Sequence, residues 1–363
     1  MNKIPFDEKE LKVVSETKNF RGQPLPLYDF PVTPKEAYTS FYRDKAPVWM
    51  PTDVESTTLC PSIIPDNIAR AFVFEAKPWG KPYDKHKDMF GIEWVFVPVV
   101  GGSMENPDKP HLMEDVNDWQ DVIKFPDVNS WDWEGCAKGN AAWFEKNKDF
   151  DIASMLLNGM GFERLVSFMG FENAAMALID EDQIDAVRDL ANAICDRVYI
   201  PYVDNMKKAC PGLTRITLHD DWGSQRAPFF SLAAAREAYV DVYQKFNAHV
   251  KSLGMIAELH SCGKNDLVVP AYIESDVEFW NGMYMNDKRH LFELYGDKFV
   301  FGVDPPAIAD NMAASDEDLW AAAKEFCEFY IRDGKCHVVG NMMRKNPKFV
   351  AAVYQISRIM LNP

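Results

Sequence analysis

No Cys-x-x-Cys pair occurs in this chain, no Gly-x-Gly-x-x-Gly loop follows any strand-like run, and no apolar stretch approaches the length of a membrane span. The first absence argues against a structural zinc knuckle, the second against a dinucleotide-binding fold, the third against a transmembrane helix. The cysteines (Cys60, Cys136, Cys195, Cys210, Cys262, Cys327 and Cys336) are odd in number and scattered. That usage excludes a disulfide framework and fits a reducing compartment. Positive charge is also in deficit: 39 Lys and Arg stand against 55 Asp and Glu. A chain so acidic has no nucleic acid and no anionic membrane as its expected partner. The opening Met1-Asn-Lys-Ile-Pro-Phe-Asp7 lacks the apolar core of a signal peptide, so the expected location is cytoplasmic.

What is present reads as a globular enzyme. Hydrophobic residues make up 47% of 363, with 24 Phe and 10 Trp, enough for a large core. The chain is expected to form one domain over 1–363, with an elaborated part (1–145) and regular βα units (146–363). In the first part the reading is a helix at 7–16, another at 34–43, a strand at Ala46–Met50, and a hairpin from Phe90 into Gly101-Gly-Ser-Met104. After 150, short apolar runs alternate with amphipathic blocks: strands at 152–157, 213–218, 258–262, 277–281, 299–303 and 335–341. Together with the strand near 48 these make seven, and an eighth is expected within 70–100. Trp79-Gly80 falls in that same stretch. Alternation of this kind predicts an α/β chain, a TIM (β/α)8 barrel whose N-terminal hairpin and loops lie near the barrel mouth.

In such a barrel, chemistry gathers where strands end. Here the strand ends carry Asn158, His219-Asp220-Asp221, His260-Ser-Cys262, Asn281, Asp304 and Asn341. On a strand, alternate side chains share a face, so Glu258, His260 and Cys262 point the same way. Their oxygen, nitrogen and sulfur are the donor types zinc accepts. An isolated His-x-Cys is more often a hydrogen-bonded strand end with an inert thiol. Adjacent Asp220 and Asp221 are as often a structural cap as an acid/base pair. Trp222, Trp94 and Met104 are more often plain core than the wall of a binding site.

Asp220-Asp-Trp-Gly-Ser-Gln225, followed by Leu259-His-Ser-Cys-Gly263, resembles the uroporphyrinogen decarboxylase-like superfamily. Gly161-Phe-Glu-Arg164 and Gly170-Phe-Glu-Asn173 are similar to a helix-and-turn signature of that group. The resemblance covers about residues 150–363 and implies the same barrel. The porphyrinogen-gripping Arg-Gln-Ala-Gly-Arg segment of true decarboxylases has no counterpart in Pro47–Asp53. His260 and Cys262 instead match the zinc motif of the cobamide-dependent methyltransferases. Asp88–Gly91, Trp94–Pro98, Gly101–Met104 and Trp131–Trp133 resemble the aryl methyl ether branch, the O-demethylases.

That resemblance implies methyl transfer from a methoxylated, aromatic donor to the cobalt(I) corrinoid of a partner protein, with zinc on the ether oxygen. Expected metal ligands are His260, Cys262 and, as third donor, Glu258. Relatives that accept thiols carry a cysteine at a position aligned here with Asn341, so Asp304, His219 and Cys336 stand behind Glu258. Asp220, Asp221 and His219 are the candidate proton donors to the leaving oxygen. Trp222, Gln225, Asn281, Trp94 and Met104 are the candidate substrate contacts. Glu163 and Arg164 read as a structural ion pair. Alternatives are a porphyrinogen decarboxylase, a methyltransferase acting on a methylamine or thiol, and a barrel that binds without turnover; homodimerisation is left open.

Overall fold

The computed structural model describes residues 4–18, 22–44, 46–70, 83–99, 102–156 and 158–362. Trp79-Gly80, Val100, Gly101, Leu157 and part of the stretch expected to hold an eighth strand lie outside them. Seven strands form the large sheet: β1 (Ser56–Leu59), β2 (Asp151–Leu156), β3 (Arg215–His219), β4 (Ile256–Ser261), β5 (Phe279–Gly282), β6 (Val300–Val303) and β7 (Val338–Gly340). They lie side by side in chain order, β1 to β7, and β2–β3, β3–β4, β4–β5 and β6–β7 pair in parallel. Helices follow the strands, as parallel pairing requires. The fold is α/β of the TIM-barrel kind.

The chain groups into two compact units. One comprises Met1–Thr57, Asn147–Ile152 and Asp287–Pro363; the other comprises Thr58–Lys146 and Ala153–Asn286. In the first, helices Asp316–Tyr330 and Pro347–Leu361 pack on each other. The buried Arg358 guanidinium donates to Glu10 at 2.6 and 2.9 Å. Phe30 stacks on Trp49 beside Tyr354. Several elements here differ from those the sequence predicts. Residues 47–50 are buried, yet 46–50 form no strand, and the nearest ladder contact is a single parallel bridge, Thr52 to Gly340. Pro47 and Pro51 lack the N–H groups a ladder needs. The helix expected at 7–16 is one 3-10 turn, Glu8–Leu11, followed by strand Val13–Lys18. Lys335–Cys336 belongs to a two-stranded hairpin with Ile331–Arg332 and not to β7. The helix expected at 34–43 begins as Pro34–Thr39, with Thr33 accepting from the Glu36 N–H.

The second unit carries β2 from Ala153 onward through β5. Strand β4 is buried at five of six positions, which suits a parallel strand covered on both faces. The expected hairpin is a three-stranded antiparallel sheet, Lys85–Lys87, Glu93–Val97 and Gly102–Glu105, separate from the large sheet. The register of β3, β4 and β5 sets His219 beside His260 and His260 beside Asn281, one row across three strands at their C-terminal ends. No described helix is long and apolar enough to cross a membrane.

Candidate metal centre and cavity

The row of strand ends places side chains from two neighbouring strands and their loops in one spot. His219, Asp221, His260 and Cys262 each offer a ligand atom, and these atoms all lie within 4.8 Å of one another. The two imidazoles stack with centroids 5.0 Å apart. His260 Nε2 is 3.5 Å from the Cys262 sulfur, and Asp221 Oδ1 accepts from the Cys262 N–H at 2.6 Å. Two nitrogens, a sulfur and a carboxylate oxygen, all partly buried, make a donor set of the kind zinc takes.

The loops carrying these groups touch through their backbones. Gly263 has φ +89, and a Cβ built there would overlap the Gly223 carbonyl. The Lys264 N–H donates to Ser224 O at 2.7 Å. Only glycine permits so close an approach with that backbone. Ser261 Oγ meets both the Trp222 N–H and the Asn265 amide at 3.0 Å.

Glu163 is the residue that reading the sequence missed. It lies in the first turn of helix α1 (Phe162–Ala177), and His219 Nδ1–H donates to its Oε2 at 2.8 Å. Its other oxygen faces Arg70 at 3.4 Å. Burial opposes its charge, yet His219 and Arg70 prevail and hold its pKa low. Burial also opposes a charged His219, but Glu163 and Asp221 outweigh it and raise that pKa well above the usual imidazole value. Burial raises the Cys262 thiol, against the pull of His219.

Glu163 and Arg164 are therefore not paired with each other. Arg164 points into the core, donating to Asp88 at 2.8 Å and to Asp66. Successive helical residues point about 100° apart, so neighbours in sequence serve different partners.

Of the candidate proton donors, Asp220 is committed elsewhere. It is fully buried and accepts from the N–H groups of Phe162 and Glu163 at 3.1 and 2.7 Å, from Trp222 Nε1 at 2.8 Å, and from the Tyr243 hydroxyl. It caps α1 from outside the helix, since Gly161 has no side chain to do so. Burial pushes its pKa up to about 7. Trp222 is fully buried among Phe230, Tyr239, Tyr243 and Tyr272.

Glu258, the first-named third donor, also needs correction. It lies outside the four-donor group, its carboxylate 3.2 Å from Arg215 and hydrogen-bonded by Thr217. Asp304 accepts from Lys288 and Asn341, and Cys336 is buried in its hairpin. Neither belongs to the group. Gln225 is exposed. Asn281 is partly buried, next to His260 in register.

A cavity of about 470 Å³ adjoins the group, with Asp221 and Glu163 in its lining. Trp94 and the half-exposed Met104 line it too. Trp94 donates to Asp88 at 3.0 Å and carries the Arg70 guanidinium over its ring at 5.0 Å. Phe162, Phe171 and Phe229 contribute an apolar wall, their centroids 5.0 to 5.8 Å apart. Helix α1 is broken at Gly170 (φ +76), where His111 occupies the space a side chain would fill.

No protein-family model and no curated protein matches the chain. Among solved structures, a methyltransferase from Methanosarcina mazei is similar at 16% identity and a TM-score of 0.54, covering 90% of this chain and 98% of that one. A sugar phosphate isomerase/epimerase from Parabacteroides distasonis is matched at 11% identity over 70% of this chain and 82% of that chain. Its TM-score of 0.30 is too low to carry an argument. The first likeness establishes a shared fold.

Proposed function

We propose that this protein is a methyltransferase that removes the methyl group of a methoxylated aromatic compound and passes it to the cobalt(I) corrinoid of a partner protein. The observation that carries this reading is the four-donor group His219, Asp221, His260 and Cys262 at the edge of an aromatic-walled cavity. The fold likeness to a methyltransferase and the motif resemblance to the cobamide-dependent branch of the uroporphyrinogen decarboxylase-like superfamily support it.

The donor set fits zinc in atom type and spacing. His219, His260 and Cys262 would hold the ion and leave its fourth position open to the ether oxygen. When bound, zinc supplies a Lewis acid for the ether oxygen, whose departure as phenoxide is the difficult part of the reaction. Glu163 fixes the His219 tautomer by accepting from Nδ1, which leaves Nε2 free as a donor. Phe162, Phe171 and Phe229 would offer the ring an apolar face. Asp221, which lines the cavity and whose pKa burial raises, would supply the proton to the leaving oxygen.

The test is twofold. Purified chain is analysed for zinc, and methyl transfer from 2-methoxyphenol to a reduced corrinoid protein is followed by the corrinoid absorption change. Full zinc occupancy with transfer abolished by His260→Ala is expected. Transfer at the wild-type rate by a zinc-free His260→Ala protein would sink the proposal.

A further inference from the structure

Two polar side chains on the cavity wall have no task in the proposed reaction. Ser103 and Glu105 both line the cavity and sit two apart on strand Gly102–Glu105, so they share a face. The Ser103 hydroxyl is buried and has no hydrogen-bond partner among the described residues. Among the same residues the Glu105 side chain makes no hydrogen bond and no close ion pair. Burial pushes its pKa up to about 7, with Arg70 and Arg164 pulling the other way. A desolvated hydroxyl and carboxyl left unpaired by the protein are costly unless a ligand meets them. Of the other polar groups nearby, Trp94 Nε1 is engaged with Asp88, Arg70 with Glu163 and Asn158, and Glu163 with His219, while the His111 ring packs against Gly170 at the break in α1.

We propose that Ser103 and Glu105 together read a free hydroxyl on the aromatic ring of the methyl donor, making methoxyphenols the preferred class over fully methylated rings. Glu105 accepts from the phenolic O–H, and Ser103 donates to the same oxygen. The remaining lining, Phe162, Val166, Phe171 and Phe229, suits the ring itself. A site built to hydrogen-bond a hydroxyl rejects the analogue lacking it, because its own polar groups are then left dry and unpaired. This inference rests on the reading of the cavity as the methyl-donor site.

Calorimetric binding of 2-methoxyphenol and 1,2-dimethoxybenzene to the full chain tests it. Wild type is expected to favour the phenol by about 10- to 100-fold. Glu105→Leu and Ser103→Ala should each bring that ratio toward unity while dimethoxybenzene binding is kept, which also shows that the variants are folded. Glu105→Gln, still an acceptor, should retain part of the preference. An unchanged ratio in Glu105→Leu, or no preference in wild type, overturns this inference alone. Failure of the wild type to bind either compound overturns it together with the methoxyaryl reading.

Discussion

Glu163 takes a hydrogen bond from His219 Nδ1 at 2.8 Å, tying helix α1 to the end of strand β3. A carboxylate behind an imidazole orients the ring and raises its basicity toward a metal. Replacing Glu163 by Gln should weaken zinc binding by about 10- to 100-fold. Competition with a chromophoric chelator measures the effect; an unchanged affinity would remove Glu163 from the site.

Cys262→Ser and His260→Ala should each lose stoichiometric zinc, whereas Glu258→Gln should keep it, because Glu258 is engaged by Arg215 and Thr217. Elemental analysis after gel filtration decides. Loss of metal from Glu258→Gln with retention in Cys262→Ser would reverse the assignment.

The two neighbouring aspartates should separate by phenotype. Asp220→Ala leaves the donors of Phe162, Glu163, Trp222 and Tyr243 without their acceptor. It should cost about 3–5 kcal/mol of stability, read as a shift in denaturant midpoint. Asp221→Asn, partly exposed in the cavity lining, should stay within about 1 kcal/mol of wild type and lose methyl transfer instead.

Arg164 is buried between Asp66 and Asp88. Arg164→Met removes the guanidinium that both carboxylates share and should destabilise by about 3–5 kcal/mol. The triple change Arg164→Met with Asp66→Asn and Asp88→Asn should recover much of that loss. Denaturation curves for the two proteins make the comparison.

Stability should also depend on pH through Glu55. Burial pushes its pKa up to about 8, against the bonds it accepts from Thr52. An acid whose folded pKa exceeds its unfolded value near 4.3 keeps more protons when folded, so stability falls as pH rises between those values. Glu55→Gln should flatten that slope, and unfolding at pH 5 and pH 8 measures it. A slope that is the same in both proteins would count against the assignment.

The alternation of apolar runs and amphipathic blocks was enough to locate six of the seven strands of the large sheet, because a parallel strand must bury both faces. Ala46–Met50 misled because apolar content marks burial and not pairing, and Pro47 and Pro51 cannot donate to a ladder. Strand periodicity put Glu258 on the face of His260 and Cys262. What it could not reveal was Arg215, which lies one strand away and claims that carboxylate. Glu163 stayed hidden for a related reason: its partner His219 is 56 residues on in the chain, and only the packing of α1 brings them together. A Phe-Glu-Arg triplet following the Gly161 that opens α1 was the available signal, but an acid and a base adjacent in sequence resemble a local ion pair.

The contact between Gly223 and Gly263 fastens the loop after β3 to the loop after β4. The imidazole, thiol and carboxylate they carry are thus assembled as the chain folds, and the entropy of gathering them is not charged to metal capture. Such a preassembled site should take up its ion quickly and with little rearrangement. A β-carbon at Gly263 would strike the Gly223 backbone, force the two loops apart and spread the donors, leaving a folded protein with a dispersed, low-affinity set of ligands.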